Sequence, residues 1–404
     1  MPYSEVTPLD CPFALTFSWS RRITALTVFF SCLVLLIVIS RRLSMLSRDQ
    51  TESRGSKITF DPKDQGIVKQ KLDAREVKIS RLFVHPIKSC RGISVRTSRY
   101  TQLGLEYDRQ WCIIDAQSHA IITAREFPKM VLITTRIVEN SNDRYGGQLE
   151  ITFPKESGCE AFSVPLKPNP ETLERWSTVE DCTVFIFADI DGYITQPHSS
   201  SPFVDSSLCS ATLSRFFGKP VHLIYKGPRL RPAPPTWSFP NLKVGINYQD
   251  VYPIMVVSNE SFLCAKVMVA SWCREQEREE LRDWDTDSLV LERYRPNIVF
   301  EGASLPFAED MWRKMTISSP TPHGLSNARS FTLVSKCTRC LLPNIDPATG
   351  TRNLNIPSKP LLKFRKDLDP GRLGYSCFGC NAVPAEAGSL TIGDVVSVQT
   401  WGFV

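Results

Sequence analysis

Histidine is scarce, five in 404 residues, and no two stand at the spacing that places a pair of imidazoles on one metal. Walker, Gly-x-Gly-x-x-Gly and Gly-x-Ser-x-Gly signatures are missing as well. No internal flavin or nicotinamide site is therefore expected, and any redox chemistry needs electrons from a partner. There is no basic run of the kind that tracks nucleic acid; the formal charge of +6 is mild and dispersed. No segment repeats another.

Cysteine, by contrast, is plentiful. The thirteen are odd in number and scattered, with Cys112 inside the apolar run 111–114 and Cys264 just after Phe262 and Leu263. That pattern suits buried free thiols in a reducing compartment better than the disulfide frame of a small secreted chain. The length allows two ordinary domains. One segment is not globular in character: residues 23–40, ITALTVFFSCLVLLIVIS, carry no charge and are bracketed by Arg21–Arg22 and Arg41–Arg42. It is near the lower limit for a transmembrane helix and lacks a plausible cleavage site after it. The downstream flank, with Arg41, Arg42, Arg48, Arg54 and Lys57, is the more basic, so the large C-terminal body is expected on the cytosolic side.

The expected order is an N-terminal tail (1–22), an anchor (23–40), a polar tether (41–77), an N-terminal β domain (78–204) and a C-terminal β domain (205–404). Strand-like runs are read at 80–84, 111–115, 121–124, 131–138, 149–153, 221–225, 253–257, 297–300, 314–317, 331–335 and 395–398. Helices are expected over 205–218, with a polar cap and a glycine stop, and over 259 to about 282. Many short strands and few helices make a β-rich α+β fold of barrels or sandwiches.

Two C-x-x-C pairs, Cys337/Cys340 and Cys377/Cys380, lie near the end. They allow a structural zinc, although the gap between them is long and charge-rich. More informative is the ordered series HPIKSCRG (85–92), TAR (123–125), YRPN (294–297), PFAEDMW (306–312) and CTRCLLPNIDPATG (337–350). In that order the motifs resemble the MOSC family, in which an N-terminal companion β domain precedes a β-barrel that binds the molybdenum cofactor. With the N-terminal segment added, the chain is similar to the mitochondrial amidoxime-reducing branch of that family, outer-membrane enzymes that reduce N-hydroxylated compounds. The resemblance implies Cys340 as the metal ligand, a soft thiolate suited to a soft centre, with Thr338 and Arg339 lining the cofactor. It implies Lys88, Ser89, Arg125, Arg295 and Asn297 as donors to the anionic pterin and phosphate. It places Asp250 by the metal as a proton relay, although Val251 and Tyr252 depart from the small hydroxyl residues usual there. It also implies a b-type cytochrome and its flavin reductase as electron donors. Glu309 and Asp310 are read as barrel braces beside the core anchors Phe307 and Trp312, and Cys337 as a packed thiol. Two other readings stay open: a molybdenum-cofactor or sulfur carrier without turnover, and a zinc-stapled membrane adaptor.

Overall fold

The computed structural model describes residues 76–184, 187–198, 205–322 and 324–402. The expected anchor at 23–40 and most of the tether lie outside the described residues. Among those residues, no helix is long and apolar enough to cross a membrane.

A large sheet forms the main body. Its strands run in the order Ile298–Glu301, Ile254–Ser258, Cys377–Pro384, Gly324–Thr338, Trp312–Thr321, Val395–Trp401, Val77–Val84 and Ile93–Val95. A further pairing of Val77–Val84 with Ile298–Glu301 closes seven of them into a barrel. Every ladder is antiparallel except the one between Ile254–Ser258 and Ile298–Glu301. Parallel neighbours need a crossover, and the helix Asn259–Arg274 supplies it. The sequences of this pair, IMVVS and IVFE, are almost unbroken apolar runs because both faces are covered. Each fully buried Val, Ile or Phe here contributes roughly 1.5–3 kcal/mol.

A second sheet, in the order Trp111–Asp115, Val221–Lys226, Phe187–Ile194 and Thr178–Val184, encloses its own core of Cys112, Ile114, Ile121, Val179, Cys182, Ile224 and Tyr248. The expected boundary between 204 and 205 falls beside undescribed residues. Both sheets draw strands from either side of it: Val77–Val84 enters the barrel, and Val221–Lys226 enters the second sheet.

Several expected elements change character. Residues 121–124 make no strand beyond an isolated bridge between Ile114 and Ile121. Thr123 instead starts a turn: its carbonyl accepts from Glu126 N (2.9 Å) and Phe127 N (3.0 Å), which lifts Arg125 onto a loop. The run 131–138 begins as the 3-10 turn Pro128–Leu132, opened by its proline, before the strand Thr134–Glu139. The helix expected to about 282 stops at Arg274 and resumes only as the short Glu279–Arg282. Beyond Cys273 the sequence REQEREELRD offers no apolar face to hold it. The segment Cys377–Pro384, read only as a cysteine pair, is a barrel strand buried along most of its length. Gly379 belongs there because a Cβ at that position would meet Val256 O at 2.6 Å.

Candidate functional site

Five basic side chains gather where the barrel meets the second sheet. Lys88 follows the strand Val77–Val84, and its backbone N donates to Trp111 O (2.8 Å). Its buried Nζ donates to Tyr248 O (2.8 Å) and forms an ion pair with Asp250. Burial draws the lysine below its ordinary value, and Asp250 partly restores it. Asp250 is crowded by protein yet its side chain is 53 % exposed, as in the wall of a recess. Burial pushes its carboxyl up, but Lys88, Arg109 and Arg125 outweigh that and hold it at about 2.

Arg109 and Arg231 complete the group, and neither was singled out in the sequence. Arg109 pairs with buried Asp108 at 2.6 Å and reaches Asn297 Oδ1 and Arg295 O, each at 3.3 Å. Arg231 clamps the backbone of the acidic segment, donating to Gln249 O and to Asp250 O (3.0 Å). Arg231 looks like part of a proline-rich surface loop in sequence. Only its bridge to Ile246 carries it under Asp250. The one local hint was that two prolines, Pro232 and Pro234, flank a short extended stretch at this point.

Arg295 adopts a left-handed backbone conformation (φ 56°), and its Nη1 donates to Cys90 O. Burial and then Arg109 lower it to about 10. Its Nη2 is buried and finds no protein acceptor. Asn297 stands behind this ring of cations with its amide fully used: Nδ2 donates to Phe83 O (3.2 Å) and Asp108 Oδ1 (3.0 Å), and Oδ1 accepts from Met255 N (3.1 Å) and Arg109. It braces the donors instead of presenting one. Ser89 is buried and also left-handed (φ 69°), turning the chain between Lys88 and the buried thiol of Cys90. Gly92 lets His85 pack under this turn, where a Cβ would meet the ring at 2.5 Å.

Cys340 lies two residues beyond the strand Gly324–Thr338, half-buried, with Leu342 N 3.5 Å from its sulfur. The loop after it is firmly mounted. Asp346 accepts from Ala348 N (2.7 Å) and pairs with Arg293 (2.8 Å), Arg91 donates to Pro347 O, and Arg352 donates to the carbonyls of Ala124 (3.3 Å) and Arg125. Those last bonds tie the thiol-bearing loop to the Arg125 loop. Arg339 turns inward: it donates to Cys337 Sγ (3.0 Å), Met255 Sδ (3.2 Å) and Tyr294 O (2.8 Å), so its guanidinium fixes the strand end and does not line an open site. Burial raises the Cys337 thiol, and Cys340 and Asp250 act on it through space, which places all three in one neighbourhood. Thr338 lines a small cleft, open to solvent, that begins beside Cys337 and Val251.

Cys377 and Cys380 are buried in a strand, and Cys380 Sγ donates to Glu309 O (3.4 Å). Among the described residues no three His, Cys, Asp or Glu side chains are grouped to hold a metal ion, so the zinc-stapled reading finds no site. The second cluster of acids is closed. Glu309 accepts from Ser258 N (3.2 Å), Ser258 Oγ (3.0 Å) and Ser261 Oγ (2.7 Å), which caps the helix Asn259–Arg274, and Asp310 pairs with buried Arg365.

The donor set fits an anionic ligand with a soft metal. Lys88, Arg109, Arg125, Arg231 and Arg295 are five cations against two carboxylates, Asp108 and Asp250. This gathering of cations, an Arg295 Nη2 with no acceptor among the described residues, and a reachable thiol suit a phosphorylated dithiolene cofactor.

Comparison with known proteins agrees. The MOSC N-terminal beta barrel domain matches residues 76–186, and the MOSC domain matches residues 246–397. Molybdenum cofactor sulfurase of Danio rerio is 30% identical over 318 residues, 76% of this chain, although the chain spans only 32% of that relative's length. Mitochondrial amidoxime reducing component 2 of Bos taurus is 26% identical over 326 residues, covering 79% of this chain and 82% of the relative. Mitochondrial amidoxime-reducing component 1 of Homo sapiens is 26% identical over 329 residues, again 79% and 82%. With both of its domains present in order over the described body, this chain belongs to the MOSC family.

Proposed function

We propose that the chain holds a molybdenum cofactor through Cys340 and reduces N-hydroxylated small molecules. The overall reaction is R–NHOH plus two electrons and two protons, giving R–NH2 and water. When bound, the cofactor supplies the two-electron metal centre at which oxygen leaves nitrogen. Lys88, Arg125 and Arg295 neutralise its anionic parts, Ser89 adds a donor beside them, and Asn297 holds Arg109 and Arg295 in register. Thr338 lines the approach, and Arg339 fixes the strand end from which Cys340 projects. Asp250 is ionised at neutral pH, so Lys88 carries the proton of that pair and Asp250 is the site that receives one in a relay.

The observation that carries the reading is the half-buried Cys340 thiol in the neighbourhood of a cation cluster, in which Arg295 Nη2 is buried with no acceptor among the described residues. Electrons would come from a b-type cytochrome served by a flavin reductase. Residues 23–40 would anchor the chain, with its body in the cytosol, in the mitochondrial outer membrane. The test is metal and pterin analysis of the purified protein, followed by benzamidoxime reduction with a reduced viologen as donor. Full turnover by a cofactor-loaded Cys340→Ser protein sinks the reading. The similarity to a cofactor sulfurase favours a second one, a cofactor or sulfur carrier. Bound pterin and molybdenum without reduction of any N-hydroxylated compound would select it.

A further inference from the structure

Among the described residues, most of the fully buried carboxylates pair with a cation or take several hydrogen bonds. Asp108 pairs with Arg109 at 2.6 Å, Asp191 with Lys226 at 2.7 Å, Asp394 with Arg329 at 3.0 Å, and Asp310 with Arg365. Glu309 takes three hydrogen bonds from serines. Asp369 is only 6% exposed, yet its carboxylate accepts a single hydrogen bond, from Gly371 N at 2.9 Å, and forms no ion pair among the described residues. A carboxylate offers about four lone-pair positions on two oxygens, so a single donor leaves most of that accepting capacity for a ligand.

Asp369 lines the cleft that begins beside the Cys340 strand end. Around it stand Tyr252, whose hydroxyl is held by Pro234 O (3.0 Å), and Asn381, whose Nδ2 is spent on Ser335 Oγ (2.9 Å) and Lys336 O (3.3 Å). Asn381 thus leaves its amide oxygen as a second acceptor. Trp237 forms the outer wall and is 75% exposed, a large apolar ring with nothing stacked on it. Lys336 and Arg372 also line the cleft. The lining therefore combines acceptors with aromatic surface, and it includes Thr338, on the strand that leads to Cys340.

We propose that this cleft is the substrate subsite, and that Asp369 receives the N–H groups of a planar N–C–N head, as in an amidine or guanidine, while Tyr252 and Trp237 flank the attached ring. A carboxylate accepts two parallel N–H bonds from an amidinium or guanidinium head, and one from the NH2 of an N-hydroxylated amidine; a desolvated cationic group is favoured further by a neighbouring aromatic face. Asp369 is then a specificity residue, selecting N-hydroxylated amidines and guanidines over simple hydroxylamines. This inference rests on the proposed reductase function for its substrates, but the binding can be read without turnover.

The experiment uses the full-length, cofactor-loaded protein. Calorimetric titration with benzamidine should show binding that weakens at least tenfold in Asp369→Asn and returns in part in Asp369→Glu. Asp369→Asn keeps the acceptor for Gly371 N, and unchanged thermal unfolding would confirm that it folds. With reduced viologen as donor, the ratio of kcat/KM for benzamidoxime to that for phenylhydroxylamine should fall at least tenfold in Asp369→Asn, mainly through KM. Equal benzamidine binding by wild type and Asp369→Asn, an unchanged ratio, or tight binding of benzoate in place of benzamidine would overturn the assignment. If the wild type reduces neither substrate, the reductase reading fails, while Asp369-dependent benzamidine binding still supports the subsite.

Discussion

Two groups of charge in this molecule are built to opposite rules. Around Glu309, Asp310 and Arg365 every charged atom is enclosed by side chains and backbone that satisfy it, and the group knots the helix Asn259–Arg274 to the barrel. Around Asp250 several cations gather, Arg295 Nη2 is buried with no acceptor among the described residues, and the carboxylate meets solvent. Both groups come from acidic motifs that look similar in sequence. The closed one contributes stability; the open one keeps its carboxylate and cations where solvent or a ligand can reach them. Charge gathered within reach of a ligand is the mark of a site.

Four changes would break or sharpen that contrast. The largest effect is expected for Cys340→Ser, with molybdenum content and benzamidoxime turnover falling on the order of 100-fold and little change in unfolding. Elemental analysis beside circular dichroism checks it. Next is Arg365→Met, which strands buried Asp310 and should cost about 3–5 kcal/mol in urea unfolding. Adding Asp310→Leu should recover much of that loss, as replacing a whole buried pair often does. Arg295→Gln should do the reverse, lowering pterin retention about tenfold, or about 1.4 kcal/mol, while the cofactor-free protein unfolds at the same or higher urea concentration. A large drop in cofactor-free stability would make the cation cluster structural after all.

The smallest effect concerns pH. Burial and then Asp310 raise Glu309 to about 7, above its ordinary value of 4.5. The folded chain therefore binds the extra proton, and stability falls as pH rises from about 4.5 through 7. Glu309→Gln should flatten that slope by on the order of 1–3 kcal/mol across the window, measured by urea titrations at pH 5 and pH 8. Asp250 has the opposite sign: its carboxyl is held at about 2, so its contribution is present above its ordinary pKa and lost as pH falls toward 2.

How much was legible follows the range of each interaction. The two strands of the buried parallel pair were read from their apolar runs, though not their pairing, and the helix stop at Gly218 from a residue that takes φ 68° at no steric cost. Lys88, Arg125 and Arg295 were reached through resemblance, because each sits in a short motif. Arg109 and Arg231 were not, since their partners lie far along the chain: Arg295 O is 186 residues from Arg109. The resemblance implies Asn297 as a donor to a ligand and Arg339 as a lining residue, and the structure adds hydrogen bonds from both to the protein itself. Residue type and motif position do not reveal whether hydrogen-bonding capacity is already spent.

The sequence by itself determined the β-rich body, the family, and the thiol at the end of a barrel strand, because strand periodicity and ordered motifs are local signals. It also marked residues 23–40 by their unbroken apolarity. Only the tertiary structure decided which charges face one another. It closed the barrel with Val77–Val84, brought Arg109 and Arg231 to Asp250, and left Asp369 buried in a cleft wall with no ion pair among the described residues. Those are long-range outcomes of packing, and they separate the acids that brace the fold from the one set to meet a ligand.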